Sequence, residues 1–166
     1  MKATTILGLD FGERRIGVAV SDTGKTLATG LTTLDCRANP GWMEALGDII
    51  REEDVAEIVV GYPLRTDGKV VAGGKTEAVD AFIAKLESAF KLPVHREDES
   101  FTSAMATASL KARGGGRGNG GGGKKKSGRA HARDRQKAKA DIDRVAACYI
   151  LQDWLDRPQR EPGESK

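Results

Sequence analysis

Acids stand at three places along this 166-residue chain where carboxylates could be brought together. Asp10 closes the apolar run ILGLD. Glu97, Asp98 and Glu99 follow the short apolar stretch LPVH. Asp141 and Asp143 precede the alanine-rich run RVAACYIL. Carboxylates gathered at one point repel each other, and a divalent cation makes such an arrangement cheap. All-oxygen donors with no His or Cys beside them favour Mg²⁺ or Mn²⁺ over Zn²⁺. The chemistry that such a site performs best is in-line phosphoryl transfer, with two metals activating water and stabilising the leaving oxygen.

Other chemistries find little support. There is no P-loop and no GxGxxG dinucleotide fingerprint. His95 and His131 are the only histidines, and neither has a catalytic neighbourhood. Cys36 and Cys148 have no motif spacing, so they read as thiols of a reduced, cytoplasmic protein. No apolar run is long enough to cross a bilayer, and the first ten residues do not read as a secretory signal.

Positioning the acids requires a sheet. Ile6–Asp10 and Ile16–Ser21 are apolar on both faces, as covered strands are, and the turn FGERR joins them. The Thr-rich stretch 27–35 adds a third strand, giving an antiparallel meander. Trp42, Leu46, Ile49 and Ile50 recur at helical spacing within 40–54. Residues 57–64 form a buried strand. Residues 75–90 form an amphipathic helix with Val79, Phe82, Ile83, Leu86 and Phe90 on one stripe, and 92–98 form the fifth strand. A helix follows from Thr102 to about Arg113, then a loop over 114–128, then a last helix from about Gln136 to Asp156.

The order β-β-β-α-β-α-β-α-α predicts an α/β fold: a mixed five-stranded sheet, an antiparallel meander plus parallel strands, flanked by helices. Right-handed crossovers place the fourth strand beside the first. The carboxyl ends of strands one, four and five then share one edge, where ligands bind in open α/β sheets. On the last helix, Ala146, Ala147, Ile150 and Trp154 lie three, four, seven and eleven residues after Asp143. Asp143 thus falls on the buried stripe, where an acid needs a partner. A favourable place near the helix N-terminus is the plainer explanation for that acid taken alone.

The net charge of +3 hides a division. Residues 111–139 hold eleven Lys or Arg and one acid, Asp134, so this stretch is +10 and the remainder −7. A basic segment on an acidic body suits a polyanion, usually nucleic acid. A solvated loop explains the charge equally well.

Four ordered motifs, LGLDFGERRIGVAVSD, VVGYPLRTDG, REDESFTSAMA and IDRVAACYILQDWLD, resemble the YqgF/RuvX family from about residue 5 to 156. The resemblance implies an RNase H-like fold in one domain over 1–157; the Gly/Lys/Arg-rich stretch at about 114–128 departs from the family and reads from its composition as a flexible insert, and 158–166 as a disordered tail. Members are described as nucleases of pre-16S rRNA, and some as Holliday-junction-resolvase-like. It implies a Mg²⁺- or Mn²⁺-dependent hydrolase in ribosome biogenesis, acting on pre-rRNA or branched DNA and meeting ribosomal precursor particles. Carried over by position, the catalytic and metal-binding acids fall on Asp10, Glu99 and Asp143, with Asp98 as the fallback for Glu99.

The family usually has Arg where this chain has Ser100, which leaves room for a binding module with impaired catalysis. An actin-like ATPase also opens with Asp-x-Gly, but needs two such domains. Candidate nucleic-acid contacts are Gly12, Arg65, Arg113, Arg117, Lys124, Lys125, Lys126 and Arg129. Tight turning explains Gly12, and simple solvation Arg65, at least as well.

Overall fold

The structure, a computed structural model, describes residues 4–63, 75–98 and 128–158. The five strands are β1 (Thr5–Phe11), β2 (Arg15–Ser21), β3 (Ala28–Asp35), β4 (Val55–Tyr62) and β5 (Val94–Asp98). The described helices are α1 (Trp42–Glu52), α2 (Lys75–Phe90) and α3 (Gly128–Asp156). The sheet order is β3-β2-β1-β4-β5. β1 pairs antiparallel with β2, and β2 with β3. β1 with β4 and β4 with β5 are parallel. The meander and the place of β4 beside β1 are as the sequence predicts. The helix expected over 102–113 lies outside the described residues.

Strand alternation sorts the apolar residues onto two faces. Leu7, Leu9, Ile16, Val18, Ile58 and Val60 face α1 and α2, where they pack with Leu46, Val79, Phe82, Ile83 and Leu86. Phe11 stacks on Phe82 at a centroid distance of 4.5 Å. The stripe expected on α2 is this contact surface. α2 ends at Lys91, whose φ of 55° breaks the helix while its N–H still donates to the Glu87 carbonyl. The opposite face carries Ile6, Ala19 and Val59, covered by Ala147, Ile150 and Leu151 of α3.

α3 begins at Gly128, eight residues before the start that periodicity suggested. The early turns have no apolar stripe for periodicity to detect, whereas Ala and Arg hold a helix by intrinsic preference. Asp143 therefore lies four turns inside α3, and a helix-terminus explanation for it no longer applies. Among the described residues, no helix is long and apolar enough to cross a membrane.

Candidate active site at the ends of β1 and β5

Asp10 is the sixth residue of β1, and its cross-strand partner is Gly17. By alternation from Ile6, the Asp10 side chain lies on the α3 face of the sheet. Gly17 is where α3 meets that face. A Cβ built on Gly17 would lie 1.9 Å from the Asp143 carbonyl oxygen and 2.4 Å from its carbon. The helix backbone occupies the space that any side chain at 17 would need. Gly8 repeats the device lower down, where a Cβ would come within 2.6 Å of Leu151 Cβ. These two glycines let α3 lie directly on the strands, and they set Asp143 against the neighbour of Asp10.

Asp143 is about a quarter exposed, and its Oδ2 accepts a 2.7 Å hydrogen bond from Arg15 Nε. Arg15 shares the α3 face with Gly17. The buried stripe read from the sequence is confirmed by Ala146, Ala147 and Ile150, each at most 1% exposed. Asp141, two residues earlier, instead pairs with Arg144 at 3.2 Å.

At the end of β5 the residues divide by parity. Asp98 is exposed, and its partner Tyr62 belongs to the α1/α2 side of the sheet. Glu97 pairs with Gly61 and points to the α3 face. Leu9 pairs with Val60, so continuing that register by one residue brings Gly61 level with Asp10. Gly17, Asp10, Gly61 and Glu97 thus form one row, with a residue that has no side chain between the two acids. Glu97 is 2% exposed. Arg157, just past the end of α3, pairs with Glu97 Oε1, while Glu97 Oε2 is buried and has no hydrogen-bond partner among the described residues. Burial pushes the Glu97 carboxyl above the usual range, against the pull of Arg157, and the nearby Asp153 and Asp98 add to the rise. Glu99 lies outside the described residues.

Gly12 has a local task. Its N–H donates to the Arg15 carbonyl at 2.9 Å, and a Cβ there would lie 2.7 Å from that same oxygen. The tight hairpin excludes a side chain at this position. Arg65, Arg113, Arg117, Lys124, Lys125 and Lys126 lie outside the described residues, and Arg129 is described only as part of the α3 backbone. Two participants escaped the sequence reading. Arg15 was counted into a turn, although it stands two residues before Gly17 and so shares its face. Glu97 was grouped with its neighbours, although alternation from Val59 and His95 singles it out.

Among the described residues, no three acids, histidines or cysteines stand together as a ready metal cage. The described donors at this end of the sheet are two carboxylates, Asp10 and Asp143, the latter held by the guanidinium of Arg15. A donor set made only of oxygen suits a hard divalent cation.

A mixed sheet with an antiparallel meander, an acid ending its central strand and a long helix laid across it defines an RNase H-like fold of the resolvase type. Fowlpox virus resolvase, solved with a Holliday junction DNA substrate, shares it with a TM-score of 0.51 over 92% of this chain and 97% of that one, at 10% identity. Residues 4–157 match the family described as "RuvX: Holliday junction resolvase", and the chain belongs to that family. A relative from Koribacter versatilis, named "Putative pre-16S rRNA nuclease", is 40% identical over 152 residues, covering 92% of this chain and 86% of its own. One of the same name from Crocosphaera subtropica is 35% identical over 157 residues, covering 95% and 96%.

Proposed function

We propose that this chain is a divalent-metal-dependent nuclease that cuts structured RNA, in the 5′-end maturation of pre-16S rRNA. The observation that carries the reading is the Gly17 seat, which sets the backbone of Asp143 against the strand neighbour of Asp10. Helix-to-sheet contact this close has a steric cost at every other residue type, and here it serves to bring two acids to one edge. Family membership and the names of the relatives support the same reading.

Asp10, Asp143 and Glu99 would hold Mg²⁺ or Mn²⁺, which when bound supplies an activated water and a counter-charge for the leaving oxygen. The chain's own residues prepare the site. Gly17 fixes the height of Asp143 above the sheet. Arg15 holds the Asp143 carboxylate in place by a charge-assisted hydrogen bond. The Gly12 turn closes the hairpin tightly, so the end of β1 stays open to a phosphate backbone. The nuclease domain spans 1–157 and works in the cytoplasm, where precursor ribosomal particles would present the RNA.

The test is incubation of wild type and Asp10→Asn with Mg²⁺ or Mn²⁺ and three substrates: a precursor 16S rRNA fragment, a four-way DNA junction and single-stranded RNA. Wild type should cut the precursor in preference. Asp10→Asn, which removes a charge but hardly changes shape, should fold normally and cut nothing. Preference for the junction would favour a resolvase acting on branched DNA, the activity in the family's description. Wild type inert on all three would overturn the enzymatic reading in favour of a binding module.

A further inference from the structure

α3 is longer than the sheet that it covers. It runs for 29 residues, about 43 Å at the α-helical rise. Along the chain, the first hydrogen bond described between α3 and the sheet is from the Thr33 hydroxyl to the Ala140 carbonyl, at 2.7 Å. The twelve residues before Ala140 therefore extend past that anchor for about 18 Å. Ala132, Arg133, Arg135, Gln136, Lys137, Ala138 and Lys139 are exposed.

The charges on this projection are ordered. At 3.6 residues per turn, Ala132, Gln136 and Ala140 lead down one line of the helix to Asp143 and Ala147. Arg133 and Lys137 form an i,i+4 row about 80° to one side of that line. Arg135 and Lys139 form a second i,i+4 row about 80° to the other side. None of the four takes part in an ion pair among the described residues. Two basic rows thus flank a track of Ala132, Gln136 and Ala140 that runs into the acid at the sheet edge. No Phe, Tyr or Trp falls between Gly128 and Arg144, so the projection lacks the stacking platforms that hold single strands.

We propose that residues 128–139 of α3 are a phosphate-reading arm that docks along duplex RNA and leads the strand toward Asp10 and Asp143. The inference rests on the nuclease reading and adds the surface by which the substrate is held. Charge alone makes this contact, so it positions the duplex without reading its sequence.

The experiment uses full-length protein carrying Asp10→Asn to prevent cutting, with a 20-base-pair RNA duplex as probe. Binding is followed by fluorescence anisotropy across a salt series. The quadruple variant Arg133→Gln, Arg135→Gln, Lys137→Gln and Lys139→Gln keeps good helix formers at all four positions. Circular dichroism checks that α3 persists. With roughly 0.9 of slope per phosphate contact, log K against log salt should flatten by about 3 to 4. Lys85→Gln with Lys91→Gln, on and just past α2, should leave the slope unchanged.

A quadruple variant that folds and keeps the parent slope overturns the arm. So does an equal loss of slope in the α2 variant, because net charge and not place would then be responsible. An arm effect found with a DNA duplex but not with RNA also overturns it. The nuclease reading fails separately, if wild type cuts no substrate, and the arm's slope is measurable in either case.

Discussion

Replacing Gly17 by Ala is expected to damage stability and activity together. The added methyl carbon would lie 1.9 Å from the Asp143 carbonyl oxygen and 2.4 Å from its carbon, with the Arg144 nitrogen at 3.1 Å. All three atoms belong to the backbone of α3, so no rotamer change relieves the clash. Reaching even 3.0 Å, the floor for real Cβ contacts, requires the helix to retreat by about 1.1 Å. Overpacking a core typically costs about 1–3 kcal/mol, and rigid neighbours put this case at the upper end, near 3 kcal/mol. A misplacement of about 1 Å at a reacting centre can cost roughly 100-fold in rate. Gly30→Ala is the control. Its Cβ would meet Arg144 Cγ at 2.9 Å, a side-chain atom that a rotamer change can move where helix backbone cannot, so the cost should fall at the lower end, about 1 kcal/mol. Urea unfolding at pH 7 reads the midpoints, with an unchanged m-value as the check on two-state behaviour. Single-turnover cleavage of the precursor RNA reads the rate. Equal midpoints for the two variants would refute the helix seat. A destabilised Gly17→Ala enzyme with undiminished single-turnover rate would leave the seat standing and remove Asp143 from the chemistry.

Two further outcomes are accessible to simple variants. Arg15→Gln should lower stability by about 1.5–3 kcal/mol, the range for a hydrogen bond to a charged group, since both side chains of the Arg15–Asp143 pair are largely covered. In a double-mutant cycle with Asp143→Asn, a coupling below about 0.3 kcal/mol would show that the pair contributes nothing. Glu57 gives a pH signature. Burial pushes its carboxyl up, but hydrogen bonds and charge from Lys25 and His95 outweigh burial and hold it below the ordinary glutamate value. An acid with a depressed folded value binds fewer protons when folded. Its contribution is therefore fully present above the unfolded value and is lost as pH falls from there through the folded one. Wild type should lose more stability than Glu57→Gln between about pH 5 and pH 3, measured by urea midpoints, and parallel curves would contradict the assignment.

The sequence made the strands and α2 readable because burial imposes a period on them. β1 and β2 are apolar on both faces, and α2 keeps a stripe from Val79 to Phe90 that ends where Lys91 turns left-handed. The start of α3 was hidden for the converse reason. Its described residues before Ala140 are exposed, so they carry no stripe, and glycine-rich sequence precedes the helix. Within the site, Asp10 and Asp143 were legible from their places beside apolar runs. Arg15 was not, since membership of a strand or a turn depends on pairing with Asp35 across β2 and β3. Glu97 required the register of β5, because three successive acids look alike until alternation separates one of them. The place of Glu99 lies outside the described residues.

The two faces of the sheet meet their helices in different materials. Toward α1 and α2 there is a thick layer of large side chains, among them Phe11, Trp42 and Phe82, which can change rotamer and spread a disturbance over many small adjustments. Toward α3, the helix main chain itself fills the space above Gly17, and the root of Leu151 with the Ala147 carbonyl fills the space above Gly8. One face is a cushion and the other a hard stop. Volume changes in the cushioned core should lower the melting temperature while leaving the spacing of the acids intact. One added methyl group at the hard stop passes directly into that spacing. Sequence drift can therefore be absorbed on one side of this protein and not on the other, and a thermostabilised version would be sought on the cushioned side.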